Sequence, residues 1–210
     1  SKKYETYLVA IALSLTSAVA MASATSENTS STKNEAQTVL SERSLKAEQR
    51  GMEIMDDMQY ARLALFSGDT GAADKLINRA EDLLKSDDKT WETVVRKDKK
   101  TPQEGDVYII INSSLMLSED FTVTPEKQKA IDEANKKLDK GDKKGAIDVL
   151  HLAGIDISET QWLMPLKQTQ KKVNSAQKLM SEGKYYEANL ALKGAEDGVI
   201  TDTVSLNEGD

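Results

Sequence analysis

The stretch AQKLMSEGKYYEANLALKGA, residues 176–195, carries small residues, larger apolar residues and a glycine at fixed spacing. Counted from its first alanine, the pattern has offsets of 4, 7, 12, 16 and 19 residues, and it occurs twice more, beginning at Ala61 and at Ala134. The positions are Ala61, Leu65, Gly68, Ala73, Ile77 and Ala80; Ala134, Leu138, Gly141, Ala146, Leu150 and Ala153; and Ala176, Met180, Gly183, Ala188, Leu192 and Ala195. Because small and apolar residues three and four apart form one helix face, each copy predicts a pair of helices.

A glycine lies between the two predicted helices of every copy. Glycine adopts the left-handed backbone conformation that ends a helix, so Gly68, Gly141 and Gly183 are predicted as structural turns. The turn GKYYEA, residues 183–188, looks like the turn of a tetratricopeptide hairpin. A tetratricopeptide array repeats about every 34 residues, whereas these copies begin 73 and 42 residues apart. We therefore predict a mainly α fold, with three αα-hairpins packed as a compact helical domain rather than a regular solenoid.

The hairpins have signals at their ends that set approximate boundaries. Thr124 and Pro125 have the residue types of an N-cap and a first helical residue, and Pro165 precedes the third copy. A long helix is predicted from about residue 35 to residue 67. The hairpins are predicted at about 45–85, 125–153 and 165–198.

A small β element is predicted beside the helices. The apolar run Val107–Ile111 has the composition of a buried strand, and residues 121–123 are predicted to pair with it. This pair defines a β-containing insertion at about 105–123. Alternation at residues 155–157 and 204–206 predicts further short strands.

The N-terminus has the order of a secretory signal. Lys2 and Lys3 precede an apolar run at 7–15, which is followed by small residues up to Ala22. This run is shorter than the roughly 20 residues that span a bilayer. We predict a signal peptide at 1–22, a disordered leader at 23–38 and a single helical domain at 39–210. The predicted location is periplasmic, with no membrane insertion after signal cleavage.

The composition excludes several classes of function. The chain has 28 basic and 35 acidic residues and a net charge of −7, which disfavours nucleic acid as a partner. With no Cys and one His, thiol nucleophiles, zinc fingers and His-based triads are excluded within this chain. Nucleotide-binding and metalloprotease motifs are absent from the sequence. We therefore predict a protein that is not an enzyme and has no cofactor and no metal site.

Three aromatic residues are candidate contacts for a ligand or a partner. Trp91 and Trp162 each stand beside a loop-like segment, and Tyr185 follows the predicted turn of the third copy. Each of the two Trp side chains has two interpretations. It contacts a ligand or another subunit, or it packs in the hydrophobic core. Core anchoring is the favoured interpretation of both Trp residues, and contact with a ligand or a subunit is the alternative.

Other residues have a chemical and a structural interpretation. Met52, Met55 and Met58 have thioethers that suit Cu(I), but methionines at this spacing more often fill the core face of a helix. His151 lies near the end of the second hairpin, where a structural contact is the favoured interpretation. Three acidic pairs have the residue type of glycosidase carboxylates but are favoured as solvated helix faces or turns. The pairs are at 56–57, 87–88 and 119–120.

Longer motifs resemble the YfdX family of exported enterobacterial proteins. They are QYARLALFSGD at 59–69, TPEK at 124–127, AIDEANKKL at 130–138, KGDKKGAIDVLHLAG at 140–154, MPL at 164–166 and GKYYEANLALKGAEDG at 183–198. The resemblance covers about residues 45–200. It implies a protein associated with acid and multidrug stress that is not known as an enzyme and assembles into homo-oligomers. Drug binding and chaperone-like behaviour have been proposed for the family and are expectations here.

The leading hypothesis is a non-enzymatic periplasmic stress-response protein that binds partners, chaperone-like toward unfolded periplasmic proteins under acid stress. Removing residues 1–22 leaves 26 basic and 34 acidic residues, a net charge of −8. Protonation of every carboxyl and of His151 changes this to about +27, with carboxyl pKa values near ~4. Self-repulsion would then separate subunits and expose apolar faces. The alternatives are a module that binds antibiotics or other amphipathic drugs, and an adaptor for an envelope protein.

Overall fold

The computed structural model describes residues 28–85, 88–117 and 124–207 of the chain. The helices in these residues are α1 Asn28–Phe66, α2 Thr70–Leu84, α3 Asp88–Glu92, α4 Pro125–Asp139, α5 Lys143–Leu152, α6 Leu166–Ser181 and α7 Tyr185–Asp197. The strands are β1 Val95–Arg96, β2 Tyr108–Leu117, β3 Ile157–Pro165 and β4 Ile200–Ser205. The predicted signal peptide at 1–22 and the predicted strand at 121–123 lie outside the described residues.

The described chain is mainly helical and has one small antiparallel sheet of four strands, which confirms the predicted fold class at this level. The strand order is β1-β2-β3-β4. In the pairing of β1 with β2, Val95 lies opposite Ile109 and Arg96 lies opposite Tyr108. The likeness of the helix pairs to tetratricopeptide hairpins stays a prediction.

The chain divides into two compact units, and the strands β2, β3 and β4 each have residues in both. The larger unit contains the described residues up to Asn112 together with residues 162–200. The smaller unit contains the described residues of 113–161 and those from Thr201 onward. The first and third copies of the repeated pattern therefore belong to the larger unit, and the second copy belongs to the smaller one.

Four helices build most of the core of the larger unit, and residues of α3, β2 and β3 complete it. Helix α1 packs against α2 and α7, and α6 packs against α2 and α7. The repeated alanines are buried where these helices approach, and larger side chains fill the space between them. Burying each large apolar side chain contributes roughly 1.5–3 kcal/mol. The core side chains from these four helices include Ile54, Met58, Ala61, Ala73, Ile77, Ala80, Val173, Ala176, Met180, Ala188, Leu192 and Ala195.

The turns of the larger unit follow from local residue chemistry. Gly68 has a φ of 78° and Gly183 has a φ of 71°, in the left-handed region that favours glycine. Directly after Gly68, the Asp69 side chain accepts a hydrogen bond from the backbone N–H of Ala72 at 3.0 Å. This contact caps α2 and satisfies one of its otherwise unpaired amides.

Helix α6 obtains its N-terminal cap from a distant part of the chain. Its N-cap residue is Pro165, which makes no side-chain capping bond. The Asp106 carboxylate accepts hydrogen bonds from the backbone N–H groups of Lys167 at 2.7 Å and Gln168 at 3.0 Å. The loop before β2 thereby holds the start of α6, a contact for which the local sequence offers no signal.

The smaller unit contains the second copy of the pattern in α4 and α5, which pack against each other. Thr124 is the N-cap of α4 and Pro125 is its first residue, as their residue types predict. Gly141 has a φ of 73°, and Asp142 caps α5 by accepting a hydrogen bond from the Gly145 N–H at 2.9 Å. Of the six pattern positions, only Ala134 and Ala146 are buried.

Two elements differ from the prediction. Helix α1 begins at Asn28, so residues 28–38, which we predict as part of a disordered leader, are helical. No Gly or Pro occurs from residue 28 to residue 50, and extending an existing helix costs little. Strand β3 covers Ile157–Pro165, so Trp162 lies within a strand rather than beside a loop. The polar residues Glu159 and Gln161 occupy buried positions of β3 and conceal its alternation.

Candidate functional site

A groove of about 470 Å³ lies between α1 and β2 in the larger unit. Its lining combines apolar side chains from both elements with a row of carboxylates from α1. The apolar lining residues are Leu45, Met52 and Ile111, and the carboxylates are those of Glu48, Glu53 and Asp56. An apolar lining beside carboxylates suits a ligand that has an apolar body and a positive charge.

Gly51 explains why α1 and β2 approach so closely beside this groove. A Cβ atom at this position would collide with the side chain of Ile111. Gly51 and Ile111 are both buried, so neither residue has solvent to move into. The absence of a side chain at Gly51 therefore sets the distance between helix and strand at the edge of the groove.

Arg79 of α2 supplies the positive charge that faces the acidic side of α1. Its Nε lies 3.5 Å from Asp57 Oδ2, and its Nη2 lies 3.7 Å from Glu53 Oε2. Burial raises the pKa of the Asp57 carboxyl, and the Arg79 charge opposes this effect. Asp57 is thus a buried acid at the α1–α2 contact, whereas Asp56 next to it is exposed and lines the groove.

A second surface of the larger unit exposes apolar side chains on two helices that pack against each other. We use the name α1/α7 face for the exposed side chains Leu63 and Phe66 of α1 and Tyr186 and Leu190 of α7. Phe66 is 71% exposed, which is unusual for a side chain of its size. Large exposed apolar patches on proteins commonly mark interaction sites.

Arg62 joins the two helices of the α1/α7 face. Its Nε donates a hydrogen bond to Asn189 Oδ1 at 2.8 Å, and its Nη1 donates to Glu196 Oε2 at 2.9 Å. Asn189 is polar but buried, and the hydrogen bond from Arg62 gives its side-chain oxygen the partner that a buried polar atom requires. The exposed apolar side chains therefore lie on two helices whose contact is stabilised by side-chain hydrogen bonds.

The aromatic residues singled out in the sequence occupy different environments, and none of them lines the groove. Trp91 lies in α3 with 2% of its surface exposed and belongs to the core, as its structural interpretation requires. Trp162 is half-buried against the same core. Tyr185 is exposed at the start of α7. A role for any of them in ligand contact stays a prediction.

Met55, Met58 and His151 follow their structural interpretations in the described chain, whereas Met52 does not fill the core. Met58 is fully buried, Met55 packs against the core and Met52 lines the groove, so their sulfur atoms have different surroundings. His151 lies in the last turn of α5, and its Nδ1 is 2.7 Å from Asp156 Oδ1 in the smaller unit. Among the described residues there is no group of three or more His, Cys, Asp or Glu side chains placed to hold a metal.

The groove and the α1/α7 face were both missed by sequence reasoning. Exposed side chains at 49, 53, 56, 60 and 63 follow one line along α1, with one amide and two acidic residues in its first part and apolar residues in its second. That line could have been found from helical spacing alone. The opposing strand could not, because β2 begins only at Tyr108, well beyond the end of α1.

Three comparisons relate the chain to known proteins. The family model described as YfdX protein matches residues 54–205. The Escherichia coli K12 protein named Protein YfdX is 51% identical over 158 residues, which cover 75% of each chain. A solved structure of Salmonella Typhi YfdX is similar at a TM-score of 0.70 and 46% identity, covering 75% of this chain and 91% of that one. No helix in the described ranges is long and apolar enough to cross a membrane.

Proposed function

This chain belongs to the YfdX family, and from that premise we propose that it is a non-enzymatic stress-response protein of the periplasm that binds partners. The observation that carries the proposal is the α1/α7 face. Its side chains are apolar, exposed and mounted on packed helices, which is the arrangement a partner-binding surface requires. The partners we propose are unfolded periplasmic proteins, which expose apolar segments of their own.

Acid is the condition under which we propose that binding increases. The chain without residues 1–22 changes from −8 to about +27 when its carboxyls and His151 are protonated. This repulsion would separate the subunits of a homo-oligomer and free apolar surfaces for clients. Light scattering after size exclusion, from pH 7 down to pH 3, tests this step. We expect a defined oligomer that dissociates reversibly, and an unchanged mass would remove the acid switch.

The chaperone-like activity is tested with an acid-denatured client protein whose aggregation scatters light. We expect the chain to reduce scattering, and the double variant Leu63→Ser/Phe66→Ser to lose most of that effect. Leu152→Ser is the matched control, because Leu152 is 87% exposed but lies in the smaller unit. If the unaltered chain leaves scattering unchanged, the chaperone-like function is wrong. If the double variant is as active as the control, the α1/α7 face is not the client site.

The groove between α1 and β2 supports a second candidate function, binding of amphipathic drugs. Its apolar side chains offer contact area and its carboxylates offer attraction to a cation. Titration calorimetry with dodecyltrimethylammonium below its micelle concentration tests this function. We expect saturable binding that Asp56→Lys weakens and that Asp74→Lys, an exposed charge reversal on α2, leaves unchanged. Equal binding of uncharged dodecyl maltoside would show that charge has no part in recognition.

An adaptor role for one envelope protein is the remaining alternative, and it has a distinct outcome in a pull-down. Stoichiometric recovery of a single partner from envelope extract would favour the adaptor. Recovery of many unfolded proteins only after acid treatment would favour the chaperone-like function. Loss of recovery with Leu63→Ser/Phe66→Ser would locate either interaction on the α1/α7 face.

A further inference from the structure

Met116 of β2 is the most exposed of the six methionines that the structure describes. It is 53% exposed, whereas Met58 and Met164 are fully buried and Met180 is nearly so. Met52 and Met55 on α1 are partly buried. Because access to solvent governs how readily a thioether reacts with a peroxide, we expect Met116 to be oxidised before the other five methionines.

The Met116 sulfur has a specific hydrogen-bond partner in the smaller unit. The Thr160 hydroxyl of β3 donates to Met116 Sδ at 3.3 Å. The Thr160 oxygen also lies 2.9 Å from the Thr203 hydroxyl oxygen of β4. Because Thr160 has one hydroxyl proton and uses it toward the sulfur, Thr203 is the donor in the second bond. The three side chains form a row across β2, β3 and β4.

We propose that Met116 is a reversible oxidation site, at which Thr160 directs a hydroperoxide to one lone pair of the sulfur so that a single sulfoxide epimer forms. This inference is independent of the proposed function, since it depends only on the Met116–Thr160 contact and on exposure. The chain has no Cys, so methionine is its only sulfur that an oxidant can modify.

The reaction is a transfer of one oxygen atom. A sulfur lone pair attacks one oxygen of hydrogen peroxide, the O–O bond breaks and an S–O bond forms. The sulfur loses two electrons, and the other peroxide oxygen leaves as water after it takes up the proton that the attacked oxygen carried. The product is a polar, chiral sulfoxide that methionine sulfoxide reductases return to the thioether.

Thr160 determines the stereochemistry because a thioether sulfur has two lone pairs that lead to opposite sulfoxide configurations. The hydrogen bond from Thr160 engages one lone pair and covers that side of the sulfur. The other lone pair stays available for attack on the oxidant. After reaction the Thr160 hydroxyl has a sulfoxide oxygen nearby as an acceptor if it rotates, so the contact does not prevent the product from forming.

The test uses the full chain treated with graded hydrogen peroxide, followed by peptide mass spectrometry. We expect the gain of one oxygen at Met116 before any gain is measurable at Met58, Met164 or Met180. Comparable early oxidation at Met52 or Met55 would overturn Met116 as the preferred site. Met116→Leu, which has no thioether, is expected to abolish the first gain of mass.

The two stereospecific reductases measure the epimer, because each reduces one configuration. We expect one enzyme to remove nearly all of the oxygen at Met116 and the other to remove almost none. Thr160→Val removes the donor and is expected to give both epimers, so that each reductase removes about half. Thr203→Val is the matched control and should keep the selectivity of the parent, because Thr160 retains its own proton.

Two outcomes overturn the role of Thr160. Equal amounts of both epimers in the parent would show that the hydrogen bond does not direct the oxidant. Selectivity that persists in Thr160→Val would show that another feature of the strand directs it. Thr160 is half-buried and Thr203 is exposed. Circular dichroism of the two variants is the control that checks whether each keeps the fold.

Discussion

The three copies of the repeated pattern share six residue positions but differ in how completely the fold covers them. In the third copy every apolar position is buried, from Ala176 to Ala195. In the second copy Leu138, Leu150 and Ala153 remain partly exposed. The third copy has α1 and α2 as further neighbours in the larger unit, whereas α4 and α5 mainly contact each other among the helices of the smaller unit.

This difference shows that a helix pattern predicts which face is apolar but not how much of it is removed from water. Stabilisation by the hydrophobic effect is proportional to the apolar area buried. Equivalent residues of the two units should therefore contribute different amounts to the free energy of unfolding, although they look alike in the sequence.

The largest loss of stability is expected from truncating the leucine at the fifth pattern position. Leu192→Ala in the larger unit leaves a cavity in a closed core and should cost about 2–5 kcal/mol. Leu150→Ala, its counterpart in the smaller unit, should cost about 1 kcal/mol or less because Leu150 is already partly solvated. Urea unfolding followed by far-UV circular dichroism measures both values. Equal costs would mean that coverage does not distinguish the two copies.

The next largest change in stability is expected from replacing two glycines that lie inside helices. Gly51→Ala places a methyl group against the buried Ile111 side chain, and overpacking of this kind costs about 1–3 kcal/mol. Gly145→Ala in the smaller unit meets only the exposed end of Asp142, which can rotate away. Its gain in helix propensity of about 1 kcal/mol offsets the disturbed cap. Thermal unfolding of both variants would contradict this view if Gly145→Ala lowered Tm as much as Gly51→Ala.

A smaller effect is expected from the two capping aspartates. Asp106→Ala removes the distant cap of α6, and Asp142→Ala removes the local cap of α5; each should cost about 0.5–2 kcal/mol. Asp106 also accepts a hydrogen bond from its neighbour Val107 at 2.8 Å, so its loss should be the greater of the two. Asp→Asn variants, which keep an acceptor oxygen, should recover part of the stability in both places. Chemical denaturation measures the four variants, and a greater loss for Asp142→Ala would contradict the ranking.

The smallest effects separate two carboxyls of the larger unit by the sign of their pH dependence. Burial raises the pKa of Asp57 above its ordinary value, so its ionised form opposes folding at neutral pH, and this penalty disappears as pH falls through the folded pKa. The Lys85 hydrogen bond lowers the pKa of Glu81, so Glu81 stabilises the fold above about pH 4.5, and this contribution is lost as pH falls through the lowered folded pKa.

Asp57→Asn should therefore raise the free energy of unfolding at pH 7, with a gain that shrinks in acid. Glu81→Gln should reduce it at pH 7, with a loss that also shrinks in acid. Glu81 additionally accepts a hydrogen bond from Gln177 of α6, so its protonation weakens the α2–α6 contact. Denaturation at several pH values measures the two slopes. Slopes of the same sign would contradict the assignment of burial to Asp57 and hydrogen bonding to Glu81.

Several elements could be predicted from the sequence because their causes are local. The Thr124 N-cap with Pro125 after it, and the positive φ at Gly68, Gly141 and Gly183, depend on a few adjacent residues. The groove and the α6 cap could not be predicted. Asp106 and Lys167 are 61 residues apart in the chain, and no spacing rule connects them.

Strand β3 could not be predicted from the sequence for a different reason. A half-buried strand is recognised by alternating apolar and polar residues, but Glu159 and Gln161 are polar at fully buried positions. Burying such groups requires hydrogen bonds or ion pairs supplied by the surrounding fold. The residue types of β3 therefore became interpretable only once their environment was known.

Helical periodicity, capping residues and turn glycines act over one or two turns of chain, so the amino-acid sequence alone specified the helix pairs and the apolar faces they carry. Coverage of those faces depends on which distant elements meet, and it is the packing of α6 and α7 with α1 and α2 that closes the larger core. The same packing leaves Leu63 and Phe66 exposed, and the approach of β2 places Ile111 beside Gly51. Apolar area buried, rather than apolar spacing, separates the core of this protein from its candidate binding surfaces.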